Sequence, residues 1–329
     1  MRRTCAILLV AACAACSAVV GPNPSTTPLA LFDQVWNDFD QHYSLFVVKR
    51  VNWDSLRTVY RPLAATAVNQ FALQNVVAGM LNNLHDGHIL FRGISVSTPL
   101  YGNTPVRTVT FGTYVALTGS YAGGVAYGHT AGNIGFIEIS TFEGANLVPE
   151  LDSALAALKG SSAIIIDLRN NDGGLVDNAT NAAGRFAAKR TTVAYVKYRN
   201  GPAHTDFTKF LEQQVLPSGP VQYAGDVYLL TSRNTVSAAE LFVLAMRALG
   251  HTTVVGDTTA GEAGSPFARE LQNGWSYQFP ESIEYTLGGD TFEDIGLPPD
   301  APVQNTNRQL QANIDAQLAA AISLASQPK

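Results

Sequence analysis

The sequence predicts an α/β protein, with a small N-terminal helical bundle followed by a core whose mixed sheet is covered by helices. Three observations carry this. The run "AIIIDLR" (163–169) is almost continuously apolar, the mark of a strand buried on both faces. From residue 133 onward short apolar strands alternate with amphipathic helical stretches, the pattern of an α/β sheet. Helical periodicity without strands is confined to residues 29–85. The 329 residues suffice for one large or two medium domains, and 46 % hydrophobic content is ordinary for a globular core. Charged residues make up only 14 %, with a net charge of −5. No basic cluster suits a nucleic-acid backbone.

In order, residues 1–16 read as a signal peptide or lipoprotein leader. Arg2 and Arg3 precede the short apolar run "AILLVAA", too short for a stable transmembrane helix. All three cysteines (Cys5, Cys13, Cys16) lie here, so the body has neither a disulfide nor a cysteine metal site. "VAAC" makes Cys13 a candidate for lipidation, and "CAAC" makes Cys16 the other; an ordinary cleaved signal peptide is the plainer alternative. Residues 17–28, ending "GPNPSTTP", read as a linker. Residues 29–85 form the helical subdomain: "LFDQVWNDFDQHYSLF" sets Leu31, Phe32, Val35, Trp36, Phe39, Tyr43 and Phe46 at helical spacing. Tyr43, Phe46 and Trp53 are expected in its core. Residues 86–329 form the α/β core. Residues 92–130 read as β, "NIGFIEI" as a buried strand, and "LVPELDSALAAL" as an amphipathic helix. "GGLVDNATNAAGRFAAK" follows as a helix after a Gly-rich turn; "TTVAYVKYR", "DVYLLTS" and "TTVVGD" are strands. One closing helix is expected over "RQLQANIDAQLAAAISLA", with Leu310, Ile314, Leu318 and Ile322 on one stripe.

Four stretches could carry chemistry. Ser237 stands where the strand "DVYLLTS" hands over to the helix "SAAELFVLAMRAL". A Ser there is usually a helix cap, and Glu240 three residues later completes a capping-box pattern. The same turn would expose a nucleophilic hydroxyl at a helix N-terminus, which favours developing negative charge. In "IIIDLRNNDGG", Asp167, Arg169 and Asn170 end a buried strand before Gly173 and Gly174. Ligands bind at such strand ends, and glycines let a backbone N–H approach a substrate oxygen; a tight polar turn is the plainer alternative. In "LNNLHDGHILF", His85 and His88 flank Asp86 and Gly87. Their spacing lacks the i, i+4 pattern of zinc helices, so no metal is expected. In "GGDTFEDIGLPPD", Glu293 is the candidate in what is otherwise an acidic loop.

Together these stretches resemble the C-terminal-processing (tail-specific) serine peptidase family. "VSAAELF" is similar to its Ser-Ala-x-Glu nucleophile segment, and "IIIDLRNNDGG" to its Asp-x-Arg-x-Asn-x-Gly-Gly strand end. "TTVVGDTTAGEAG", "EDIGLPPD" and "LHDGHILF" match three further motifs, in order, over about residues 30–325. The resemblance implies a crotonase-like or ClpP-like core, no cofactor, and a peptide or protein substrate. In the tail-specific branch a Lys base follows the Thr-x-Gly element. Here Thr259-Ala260-Gly261 is followed by Glu262, and the one lysine after Ser237 is Lys329. The chain instead resembles the tricorn-core branch, which uses a His base supported by a Glu. That resemblance makes Ser237 the nucleophile, His88 the base and Glu293 its support. Gly87 stands where the tricorn-like enzyme has a Ser. The backbone N–H groups of Ala238 and of Gly173 or Gly174 would form the oxyanion hole. His85 is the rival base. Residues 92–132 leave roughly half the length that a PDZ module needs, so none is expected.

The expected activity is that of an exported, lipid-anchored bacterial serine endopeptidase facing the periplasm or the cell surface. The alternatives are an esterase with the same machinery and a non-catalytic relative that binds an apolar small molecule or peptide, like the interphotoreceptor retinoid-binding proteins that resemble the same core.

Overall fold

The computed structural model describes residues 26–91, 94–95 and 113–327. Residues 1–25, on which the expected leader, its three cysteines and most of the expected linker fall, and most of the 92–112 stretch lie outside the described residues.

The described residues open with four helices: α1 (Pro28–His42), α2 (Phe46–Lys49), α3 (Trp53–Ala65) and α4 (Gln70–Leu81). Each long one begins at a side-chain cap, with Thr27, Asn52 and Asn69 accepting from backbone N–H groups of the first turn. Tyr43, Phe46 and Trp53 are buried, as their spacing predicts. Their apolar faces meet strands far along the chain. Phe39 packs its ring 4.0 Å from that of Phe279, and Leu271, Trp275, Tyr277 and Ile283 complete the same cluster.

After a short 3₁₀ turn (Asn82–Leu84) come β1 (Leu90–Phe91), β2 (Ile94–Ser95), β3 (Ala116–Ser120), β4 (Val125–Thr130) and β5 (Ile134–Ile139). Next are α5 (Leu147–Ala157), β6 (Ile164–Asp167), α6 (Val176–Ala183), β7 (Thr191–Tyr198), β8 (Leu211–Val215) and β9 (Val227–Thr231). Then follow α7 (Ala238–Ala248), β10 (Thr252–Gly256), β11 (Pro266–Glu270), β12 (Ser276–Pro280), β13 (Ser282–Tyr285), β14 (Ala301–Pro302), α8 (Asn307–Gln311) and α9 (Ala316–Ala325).

A seven-stranded mixed sheet runs in the order β14-β10-β9-β6-β5-β4-β3. Neighbours from β14 to β5 are parallel, while the β5–β4 and β4–β3 pairs are antiparallel. Alternate residues of β6 face opposite sides. Ile164 and Ile166 join the cluster under α5, α6 and α7, and Ile165 joins the one under α9. This is why the run reads as continuously apolar. Two smaller sheets run in the orders β11-β12-β1-β2 and β13-β7-β8; their β8, β11, β12 and β13 strands escaped the sequence reading.

One expectation is corrected. The closing helix is two helices, α8 and α9, broken between residues 312 and 315. Asn313 is left-handed with φ 59°, and Asp315 caps α9 by accepting from the Leu318 N–H at 3.1 Å. Asp315 also accepts from buried Arg169 at 2.8 Å, which holds the break against the sheet. Ile314, placed on the apolar stripe by spacing, is therefore 45 % exposed.

Candidate active site

The C-terminal ends of the adjacent parallel strands β6, β9 and β10 feed three loops that converge on Ser237. Such ends are where α/β sheets bind ligands. The β6 loop carries Asn171, Gly173 and Gly174. Asn171 is fully buried; its amide donates to the Ile139 carbonyl at 2.9 Å and accepts from the Gly173 N–H at 2.9 Å. Its own carbonyl accepts from the Val236 N–H at 3.0 Å. Asn170, singled out by the sequence reading, is exposed. Asp167 and Arg169 form a buried ion pair at 2.6 Å that ties the strand end to Asp315, so they shape the scaffold from behind.

Ser237 itself has φ 57° and ψ −122°, a sparsely populated conformation for a residue with a side chain. Two bonds from its N–H hold it there, to the Glu262 carbonyl at 2.8 Å and to Glu240 Oε2 at 3.2 Å. The capping-box reading of Glu240 is thus met, and the residue does more than cap. Its buried carboxyl also accepts from Thr259 Oγ1 at 2.6 Å and from the N–H groups of Gly261 at 2.7 Å and Glu262 at 3.0 Å. Burial pushes it up to about 8, against these hydrogen bonds. Glu240 therefore staples the β10 loop to the start of α7.

Gly173 abuts the serine. A Cβ there would sit 2.8 Å from Ser237 Cβ and 3.0 Å from the Ala238 nitrogen, and its φ of 95° is left-handed. Its N–H is committed to Asn171. Among the described residues the N–H groups of Ala238 and Gly174 have no acceptor.

The turn after the 3₁₀ helix reaches the same place. A Cβ on Gly87 would lie 2.3 Å from both carboxylate oxygens of Glu262, the residue whose carbonyl holds Ser237. His88 follows, half-buried. Its ring nitrogens are buried and without a hydrogen-bond partner among the described residues, an arrangement that costs energy and calls for a use. Its backbone N–H donates to Asp86 Oδ1 at 2.8 Å, and Asp86 Oδ2 accepts from Tyr43 at 2.8 Å. His85 is exposed and left-handed with φ 49°.

Glu293 is buried. Its Oε2 accepts from the Ala263 N–H at 3.3 Å, and its Oε1 lies 3.4 Å from Lys49 Nζ. Burial, with the Asp86 charge adding to it, pushes Glu293 well above the usual carboxylate range. Among the described residues it makes no hydrogen bond to the His88 ring, and Asp86, which holds the His88 backbone N–H, meets it only as a like charge. Sequence reasoning missed Lys49 and Asn171. The motif spacing could have pointed to Asn171, whereas no pattern ties Lys49, on a helix, to a loop near the other end of the chain.

The sequence profile of peptidase family S41 matches residues 133–303, and that of the tricorn protease C1 domain matches residues 24–82. The carboxy-terminal processing protease CtpA of Bacillus subtilis is 27 % identical over 169 residues, 51 % of this chain and 34 % of that protein. A probable CtpA-like serine protease of Staphylococcus epidermidis is 31 % identical over 182 residues, 54 % of this chain and 35 % of that protein. The chain thus spans about a third of the length of these relatives. The crystal structure of a protein from Parabacteroides merdae superposes with a TM-score of 0.80 at 30 % identity, covering 92 % of this chain and 98 % of that one. The profile match over half the chain, seated on the loops that converge on Ser237, makes this chain a member of peptidase family S41.

Proposed function

We propose that the protein is a serine peptidase in which Ser237 attacks the scissile carbonyl, His88 takes the hydroxyl proton and later protonates the leaving amine, and Glu293 orients the imidazole and stabilises its charged form through one hydrogen-bonded intermediate or water. The observation that carries this reading is the strained backbone of Ser237 (φ 57°) at the junction of three strand-end loops. A merely capping serine has no need of it. His88 is favoured over His85 because it is half-buried and both its ring nitrogens are unpartnered among the described residues, whereas His85 is exposed. The oxyanion would rest on the N–H groups of Ala238 and Gly174, since that of Gly173 is already spent on Asn171. A cavity of about 200 Å³ is lined by Leu241 and Ala245 of α7, the helix that Ser237 starts, with Val176, Val193 and Val215 and the polar Thr180, Gln213 and Gln214. The leader sequence supports export, with Cys13 or Cys16 as lipid attachment.

The test is labelling of the purified mature protein with a fluorophosphonate probe, followed by a panel of peptide and ester substrates. Ser237→Ala should abolish labelling, and His88→Ala should slow it about 100- to 10,000-fold. Labelling that survives Ser237→Ala, or is unchanged in His88→Ala while slowed in His85→Ala, would overturn the assignment. Hydrolysis of esters alone would make the protein an esterase.

A further inference from the structure

The helical subdomain contributes a side chain to this site. Lys49, the last residue of α2, sends its ammonium into the closing loop of the core. It lies 2.5 Å from Asp294 Oδ1 and 3.4 Å from Glu293 Oε1, and donates to the His85 carbonyl at 3.2 Å. Its side chain is 4 % exposed. One cation therefore joins three segments distant in sequence: α2, the turn that carries His88, and the loop that carries Glu293.

We infer that Lys49 is a positioning residue of the catalytic machinery, favouring the charged form of Glu293 against its burial and fixing the 85–88 turn in register with it. This rests on the Ser237–His88–Glu293 reading. The groups facing Glu293 are Asp86 on the turn, Asp294 on its own loop, Tyr43 at the end of α1, and Lys49. Burial and the two aspartates push the Glu293 carboxyl up, and Lys49 is the cation set against them. Burial disfavours the Lys49 charge, but Glu293, Asp86 and Asp294 outweigh this and raise it above the ordinary lysine value. Lys49 thus stays charged and is no candidate for the base of a Ser–Lys dyad.

The consequence is a sign. Removing the ammonium moves the ionisation of Glu293 to higher pH, by about one to three units for the loss of an opposite charge at this range. Catalysis that needs ionised Glu293 then begins at higher pH. A role in folding or packing alone would lower the rate equally at all pH.

The experiment is the rate of fluorophosphonate labelling of Ser237 against pH, in wild type, Lys49→Gln, Lys49→Arg and Asp294→Asn, with the Glu293 carboxyl titrated by ¹³C NMR and assigned through Glu293→Gln. Lys49→Gln should move the acidic limb and the Glu293 titration up together, and Lys49→Arg should restore both. Asp294→Asn removes a like charge beside Glu293 and should move both down. Asp294 is left-handed, with φ 62° and 30 % side-chain exposure, and Asn adopts that conformation as readily. This variant keeps the test open if Lys49→Gln fails to fold. In Glu293→Gln, adding Lys49→Gln should leave the limb unmoved. A limb and a titration unmoved by Lys49→Gln, or by Asp294→Asn, overturn the role given to Lys49. A folded wild type that takes no label at any pH overturns the Ser237 reading instead, and the NMR titration still decides whether Lys49 sets the charge of Glu293.

Discussion

Gly173→Ala isolates the geometry that the site depends on. Two costs arise at this position. The backbone φ of 95° is one that a residue with a Cβ rarely adopts, worth about 1–2 kcal/mol. The added methyl also meets Ser237 Cβ at 2.8 Å, the Val236 carbonyl oxygen at 2.9 Å and the Ala238 nitrogen at 3.0 Å. None of these is the far end of a flexible side chain, so the serine turn itself has to shift. Gly160→Ala separates the two costs, because Gly160 has φ 97° but nothing within 4 Å of its Cβ position. Gly160→Ala should lose about 1–2 kcal/mol of stability and label normally. Gly173→Ala should lose more than that, and its labelling by a fluorophosphonate should slow about 100-fold or more, the usual consequence of displacing a reacting group by an ångström. The assays are urea unfolding and labelling kinetics at one pH. Gly173→Ala that labels at the wild-type rate would refute the placement of this glycine against the nucleophile. Equal stability losses in the two variants would refute the steric contribution.

Two further predictions concern the scaffold. Asp315→Ala leaves the fully buried Arg169 with Asp167 alone as its carboxylate partner and uncaps α9; urea unfolding should show a loss of about 3–5 kcal/mol, and a loss below 1 would mean that the pair is solvated. Glu284, buried under Gln213 and Ser282, is pushed up to about 7 by burial, from roughly 4.3 in the unfolded chain. A carboxyl raised on folding contributes stability that is fully present below the unfolded value and is lost as pH rises through the folded one. Glu284→Gln should therefore gain on wild type in urea unfolding between pH 4.5 and 8. Parallel stability–pH curves for the two proteins would contradict this.

Much of the fold is written in local pattern. The apolar run of β6, the alternation of strands and helices after residue 133 and the helical spacing of α1 each report one-dimensional burial; the spacing read through Phe46 is interrupted, since α1 ends at His42 and Tyr43 is extended. The candidate residues Ser237, Gly173, Gly174 and Ala238 were legible for a related reason: strand-end turns and helix starts are local, and their glycines and caps mark them. The same local view failed at Ile314, whose stripe spacing continued a helix that Asp315 ends by pairing with Arg169 in another element.

Tertiary structure alone decided which polar groups share a low-dielectric space. It made Asn171 rather than Asn170 the brace of the Gly173 turn, because only one of the two neighbours faces the buried carbonyl of Ile139. It gave Glu240 four donors from two loops where sequence supplied only a cap. It also seated Lys49 between Glu293 and the His85 carbonyl. Burial is a property of the packed chain, and the electrostatic interactions that set a carboxylate's charge act through space. A linear pattern can place a side chain on the inner face of its own element, but it carries no record of the distant element whose charge will meet it there.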